Sequence, residues 1–143
     1  MSRPDGLTLT IRGGAAAIVA VVVNAVLVAV AQAAGIAPGF MALSYPPVAF
    51  LSAVGVVGAS VVYWLIAGRS ADPDRLFVRV AAVVLVLSFV PDVALLFADD
   101  AATIPGVLVL MMMHVVVAAA SVRLLTQSAT LLSGETTGEP RNA

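Results

Sequence analysis

Residues 104–125 read IPGVLVLMMMHVVVAAASVRLL, and this stretch decides the fold. It is apolar from end to end apart from His114, Ser121 and Arg123. About 20 helical residues, rising 1.5 Å each, are needed to cross ~30 Å of hydrocarbon. The run is too long for one strand and lacks the polar alternation of a barrel strand, despite its β-branched valines. A helix also satisfies its own backbone polar groups, as lipid requires. Three other segments of the same kind precede it, at about 14–34, 47–68 and 76–97.

Composition agrees with the segments. Of 143 residues, 62% are hydrophobic and 10% charged, against about a quarter charged in a soluble domain. The mean hydropathy is +1.11. Such a chain cannot cover its own surface with polar groups, which excludes an ordinary soluble enzyme. A net charge of −1 gives no attraction to nucleic acid. Cysteine is absent, so neither disulfides nor Cys-ligated metals enter. All seven basic residues are Arg, and the Ala/Val bias suits a GC-rich prokaryotic genome.

Prolines punctuate the segments. Ser44-Tyr45-Pro46-Pro47, Asp72-Pro73-Asp74 and Thr103-Ile104-Pro105 each open a helix, with proline in the first turn where its missing N–H costs nothing. The connections, about 12, 7 and 6 residues long, force sequential helices to run antiparallel. Residues 1–10 and 133–143 are polar tails, expected to be flexible and cytoplasmic. Arg3 and Arg12 precede the first span. Arg69, Arg75 and Arg79 lie in or beside the second connection, and Arg123 and Arg141 at or after the fourth span. The first and third connections hold none, so the positive-inside rule places both termini in the cytoplasm. The expected fold is an all-α integral membrane four-helix bundle, up-down and antiparallel, multi-pass in the plasma membrane. Tyr63 and Trp64 then fall at the cytoplasmic interface and Tyr45 at the outer one. The Ala-x-Ala pattern near Ala31 resembles a leader cleavage site. Its apolar run is nearer 17 residues than the usual ~7–15 and contains Asn24, so the first span is read as retained.

Few polar side chains remain inside the spans: Asn24, Ser52, Ser60, Ser88, Asp92, His114 and Ser121. Ionisable residues at membrane depth are expensive and point to function, although small bundles also use polar residues to tie helices together. Asn24, Ser88, Asp92, His114 and Ser121 form the candidate intramembrane polar site. Pro91 frees the Leu87 carbonyl beside Asp92, and Ser88 lies one turn earlier on the same face, so these three are expected to share a pocket. Asp92 and His114 differ in depth by about 7 Å, so no direct contact is expected. Asn24 is closer to His114 in depth, and a hydrogen bond between them is expected. Ser52, Gly55 and Ala59 line one stripe of span two, a small-residue pattern for helix packing within the chain or between protomers. The loop with Gly35, Pro38, Gly39 and Phe40 is placed to cap the outer mouth.

Met111-Met112-Met113-His114 has copper-binding residue types. Consecutive helical residues point about 100° apart, so the run is read as core and lipid-facing methionine. One histidine supplies one haem ligand. No metal and no cofactor is therefore expected, and motifs for zinc, nucleotide or triad chemistry are absent. The leading functional reading is a non-enzymatic interaction, accessory or self-assembling bundle, with the bilayer and a second membrane protein or copy as partners. A proton-coupled permeation unit using Asp92 and His114, and a quinone- or haem-associated module, are the alternatives.

Pro47, Trp64, Arg69 and Phe77, the segment Leu87-Ser88-Phe89-Val90-Pro91-Asp92 and the pair Met113-His114 carry a resemblance. Across about residues 14–126 the chain resembles a family of small four-span membrane proteins of actinobacteria and haloarchaea with no assigned activity. The resemblance implies a four-helix bundle in the plasma membrane and no catalytic role.

Overall fold

A computed structural model describes residues 5–126. The order is α1 (Gly6–Ala33), a short 3-10 turn (Met41–Leu43), α2 (Tyr45–Ala67), α3 (Pro73–Ala98) and α4 (Ile104–Leu125). There are no strands among the described residues, and each of the four helices is long and apolar enough to cross a membrane.

The helix starts follow the sequence signals. The Asp72 carboxylate accepts from the Arg75 amide at 3.2 Å, and Thr103 Oγ1 from the Gly106 amide at 3.2 Å, so both capping side chains satisfy an otherwise orphaned N–H. Prolines occupy the first turns of α2, α3 and α4. The helix α3 continues through Pro91 to Ala98. At its start, α1 departs from expectation. Residues 6–10, expected in a flexible tail, are helical. Glycine is a poor helix former, yet Gly13 and Gly14 lie within this helix. Packing overrides that: a Cβ on Gly13 would sit 2.8 Å from Ser60 Oγ, so the glycine lets α1 close on α2. The tail at 133–143 lies outside the described residues.

Three core layers stack along the bundle. At one end Leu9 of α1 meets Tyr63 and Ile66 of α2, Phe77 of α3 and Leu125 of α4. In the middle, Ala16 and Ala20 pack on Val56 and Ala120. At the other end Val28 and Ala31 join Val48, Leu95, Leu110 and Met113. The beginning of one helix thus meets the end of the next, which is up-down antiparallel packing. α1 packs mainly on α2 and α4, and α3 leans on α4 and less on α2. The first connection folds inward: Ala37, Phe40 and Leu43 are buried in the last layer and plug that end of the bundle.

Outside this core the surface is apolar. Val86, Leu87 and Val90 on α3, and Ile18, Val22 and Val26 on α1, are exposed. A water-facing helix would put polar groups there. Lipid asks for what is found.

Candidate functional site

The intramembrane polar residues fall into two groups on opposite faces of α4. On the α1–α2 face, Asn24 Nδ2 donates to Ser52 Oγ at 2.8 Å and to the Met113 carbonyl at 3.4 Å. Both side chains are buried, and one hydrogen-bonded tie joins α1, α2 and α4. The expected Asn24–His114 bond is not made. One residue along a helix turns the direction by about 100°. The backbone at Met113 faces α1, and His114 is carried round toward α3.

On the α3–α4 face, His114 Nδ1 lies 3.1 Å from Asp92 Oδ2 and 2.9 Å from the Leu110 carbonyl. This overturns the expected separation of Asp92 from His114. Counting residues gives backbone depth alone, but Cα–Cβ bonds lean toward the N-terminus of their own helix. In antiparallel neighbours those leans oppose. His114 reaches toward the start of α4 and Asp92 toward the start of α3, and the gap closes. A carbonyl oxygen can only accept, so Nδ1 carries a proton and donates to Leu110. Asp92 Oδ2 sits beside that bond as a second acceptor without a well-aligned hydrogen bond of its own. The Asp92 side chain is 7% exposed and that of His114 40%. The carboxylate is therefore sealed in and the imidazole is half open, with Nε2 on the side away from both acceptors.

Ser88 does not join Asp92. Its hydroxyl donates to the carbonyl of Leu85 at 2.7 Å, so the expected pocket of Ser88, Asp92 and the Leu87 carbonyl is replaced by the Asp92–His114 contact. Ser121 is buried, and its Oγ has no hydrogen-bond partner. The small-residue stripe is divided. Ser52 serves Asn24, a Cβ on Gly55 would stand 3.1 Å from Val117 Cγ1 of α4, and Ala59 lines a groove between α2 and α3.

That groove is the site's main open feature. It measures about 350 Å³ and is lined by Gly58 and Ala59 of α2, Ala81 and Ser88 of α3, and His114 and Ser121 of α4, with aliphatic side chains between. It exists because α3 is held at only two buried side chains, Phe77 and Asp92. At the first, the Tyr63 and Phe77 rings meet edge to face with centroids 5.2 Å apart, and Tyr63 Oη donates to Asp74 Oδ1 at 2.8 Å. At the second, Asp92 meets His114. Between these pins α3 stands away from α2.

Sequence reasoning missed three partners: Ser52 for Asn24, the Leu110 carbonyl for His114, and Asp74 for Tyr63. The first was hidden because the expected spans, 14–34 and 47–68, put Ser60 rather than Ser52 nearer Asn24 in depth. Tyr63, expected at the interface, is buried. Among the described residues no three His, Cys, Asp or Glu side chains gather into a metal-binding group.

Four packed apolar helices with a few internal polar ties define a small multi-pass membrane protein of unknown activity. The chain belongs to the family of unknown function DUF6069, whose model matches residues 5–131. No curated protein and no solved structure matches it.

Proposed function

We propose that this is a plasma-membrane protein with both termini in the cytoplasm, working as a non-enzymatic accessory bundle that associates laterally with another membrane protein or a second copy. The observation carrying this reading is the division of labour among the helices. α1, α2 and α4 are joined by the buried Asn24–Ser52–Met113 tie. α3 fully buries only Phe77 and Asp92 and turns a face with Val83, Val86, Leu87 and Val90 outward. Helix association in lipid relies on packing and a few hydrogen bonds, and α3 offers a long face for it.

The test is the mass of the intact complex extracted from native membranes in mild detergent. The chain lacks cysteine, so Val86→Cys on α3 and Ile18→Cys on α1 give single reporters at exposed positions. A mass above one chain, with cross-linking from Val86→Cys and none from Ile18→Cys, is the expected result. A bare monomer with neither cross-link would reject lateral association. The direct Asp92–His114 contact also supports a second reading, a proton-coupled permeation unit. In that case Asp92→Asn would fold normally and lose all proton-dependent flux in reconstituted vesicles.

A further inference from the structure

We propose that the groove between α2 and α3 holds one acyl chain of an anionic phospholipid from the leaflet at the arginine end, with the lipid headgroup at Arg69. This goes beyond lateral association and uses another face. Val83, Val86, Leu87 and Val90 lie on the side of α3 turned away from the groove.

The groove has the direction and length of a chain in one leaflet. It follows the helix axes, walled by α3 from Phe77 to Ser88 and lined behind by α4 from His114 to Ser121. Phe77 belongs to the core layer at the arginine end, and His114 lies near the middle of α4. Between Phe77 and Ser88 the wall rises about 16 Å, against ~15 Å for half of the hydrocarbon. The opening is sideways: Gly58 on one lip and Val84 on the other are both exposed on apolar spans.

The surface it offers is apolar, which selects a hydrocarbon chain. Ser88 spends its hydroxyl on the Leu85 carbonyl, and Ser121 Oγ is sealed beneath the surface. His114 turns Nδ1 to the Leu110 carbonyl and Asp92. At about 350 Å³ the groove has the size of a small-molecule site. Unfilled, its walls would forfeit dispersion contacts that a chain supplies.

Gly58 keeps the slot open. A Cβ on Gly13, Gly55 or Gly106 would meet a neighbouring side chain at 2.8, 3.1 or 2.8 Å, so those glycines serve packing within the chain. A Cβ on Gly58 would meet nothing within 4 Å. Glycine inside a helix is destabilising relative to alanine, and here internal packing does not require it. Room for an occupant does.

Charge at the mouth sets the headgroup. Gly55, Gly58, Val62, Ile66 and Arg69 follow at three- and four-residue spacing, so Arg69 stands on the groove side of α2 just past its end. It is exposed, and one of its five N–H groups goes to the Leu65 carbonyl at 3.3 Å. The neighbouring acids are engaged, Asp72 by Arg75 at 3.5 Å and Asp74 by Tyr63 at 2.8 Å. An anionic phospholipid brings a phosphate to this depth and a chain to the groove together.

The test uses the full chain in phosphatidylcholine nanodiscs with a trace of phosphatidylglycerol carrying a diazirine midway along one acyl chain. Illumination and peptide mapping should find adducts in residues 80–88 and 114–121 that unlabelled phosphatidylglycerol saturates. Adducts at the exposed Ile18, Val22 and Val26 of α1 report bulk lipid and should not saturate. The same chain on phosphatidylcholine should label the groove about fivefold less, the scale of one Arg at an anionic surface, and Arg69→Gln should remove that difference. Gly58→Phe should abolish groove adducts and leave those on α1, because its ring enters open space. If the ring lowers the melting temperature, Gly58→Leu repeats the comparison with a smaller side chain. Groove adducts that do not saturate, or that survive both Gly58 variants, overturn the proposal. So does equal labelling by the two headgroups, or a preference that Arg69→Gln leaves intact. Cross-linking through Val86→Cys reads lateral association separately, so either reading can fail alone.

Discussion

Asp92 and His114 show how far a single side chain can depart from its backbone's depth. Each reaches along its own helix toward the other, and the contact that results is 3.1 Å long. What it contributes to stability depends on what remains when it is cut. His114 keeps the Leu110 carbonyl in any Asp92 variant, and Ser88 donates to the Leu85 carbonyl, so neither is orphaned. Asp92→Asn should therefore match the parent in detergent melts, and Asp92→Leu should lose no more than about 1 kcal/mol, the scale of a polar contact between membrane helices. A loss beyond about 3 kcal/mol for Leu would mark Asp92 as half of a true buried ion pair, where removing one partner strands the other. The Asn24–Ser52 bond is more conventional, with 2.8 Å between two buried side chains. A double-mutant cycle with Asn24→Ala and Ser52→Ala should give a coupling near 0.6 and below about 1.7 kcal/mol. A coupling of zero would make the tie incidental to packing.

Between helices, glycines set the distances. Gly13 faces Ser60 Oγ at 2.8 Å from where its Cβ would be, and Ser60 Cβ at 3.6 Å. The first contact is a clash and the second is ordinary van der Waals distance. Gly13→Ala alone should destabilise by about 1–3 kcal/mol, as overpacking does. In the Ser60→Ala background the clashing atom is gone, and the same substitution should be tolerated, with the melting temperature recovering most of the difference. Equal damage in both backgrounds would trace the effect to the α1 backbone instead. Gly106 plays the same part at the other end, where a Cβ would come within 2.8 Å of Ala37 Cβ in the plug loop. These roles explain what was legible at this scale. Four helices could be read because apolar length against ~30 Å of hydrocarbon leaves one solution. The start of α1 could not, because the polar residues before Gly14 look like a tail until their packing on α2 is known. Nor could the Asp92–His114 pair, because counting residues gives Cα depth and omits the lean of the side chains. Ser121 was singled out for its depth, but only packing shows that its hydroxyl lacks a partner.

For the whole molecule, the arginine distribution predicts which end of the bundle faces the cytoplasm. The layer holding Leu9, Tyr63, Phe77 and Leu125 lies at the end carrying Arg12, Arg69, Arg75, Arg79 and Arg123. The opposite end holds the plug loop with Met41 and the turn with Asp99 and Asp100, and no Arg among residues 34–44 and 99–103. Moving Arg across hydrocarbon is costly, and short loops follow the charge asymmetry, so the arginine end should remain inside. α1 fits this arrangement. Its 28 residues span about 42 Å, longer than the hydrocarbon, so in that orientation its first turns with Arg12 should reach the headgroups. The absence of cysteine makes the test direct. Met41→Cys and Asp100→Cys should react with a membrane-impermeant maleimide added to intact cells, and Ala71→Cys only after the membrane is opened. All three positions are exposed, so packing does not decide their reactivity. Labelling of Ala71→Cys in intact cells, with Met41→Cys and Asp100→Cys protected, would invert the bundle. The groove would then keep its residues and its depth, because His114 lies near the middle of α4, but Ser121 and the Phe77 pin would approach the outer surface instead of the cytoplasm.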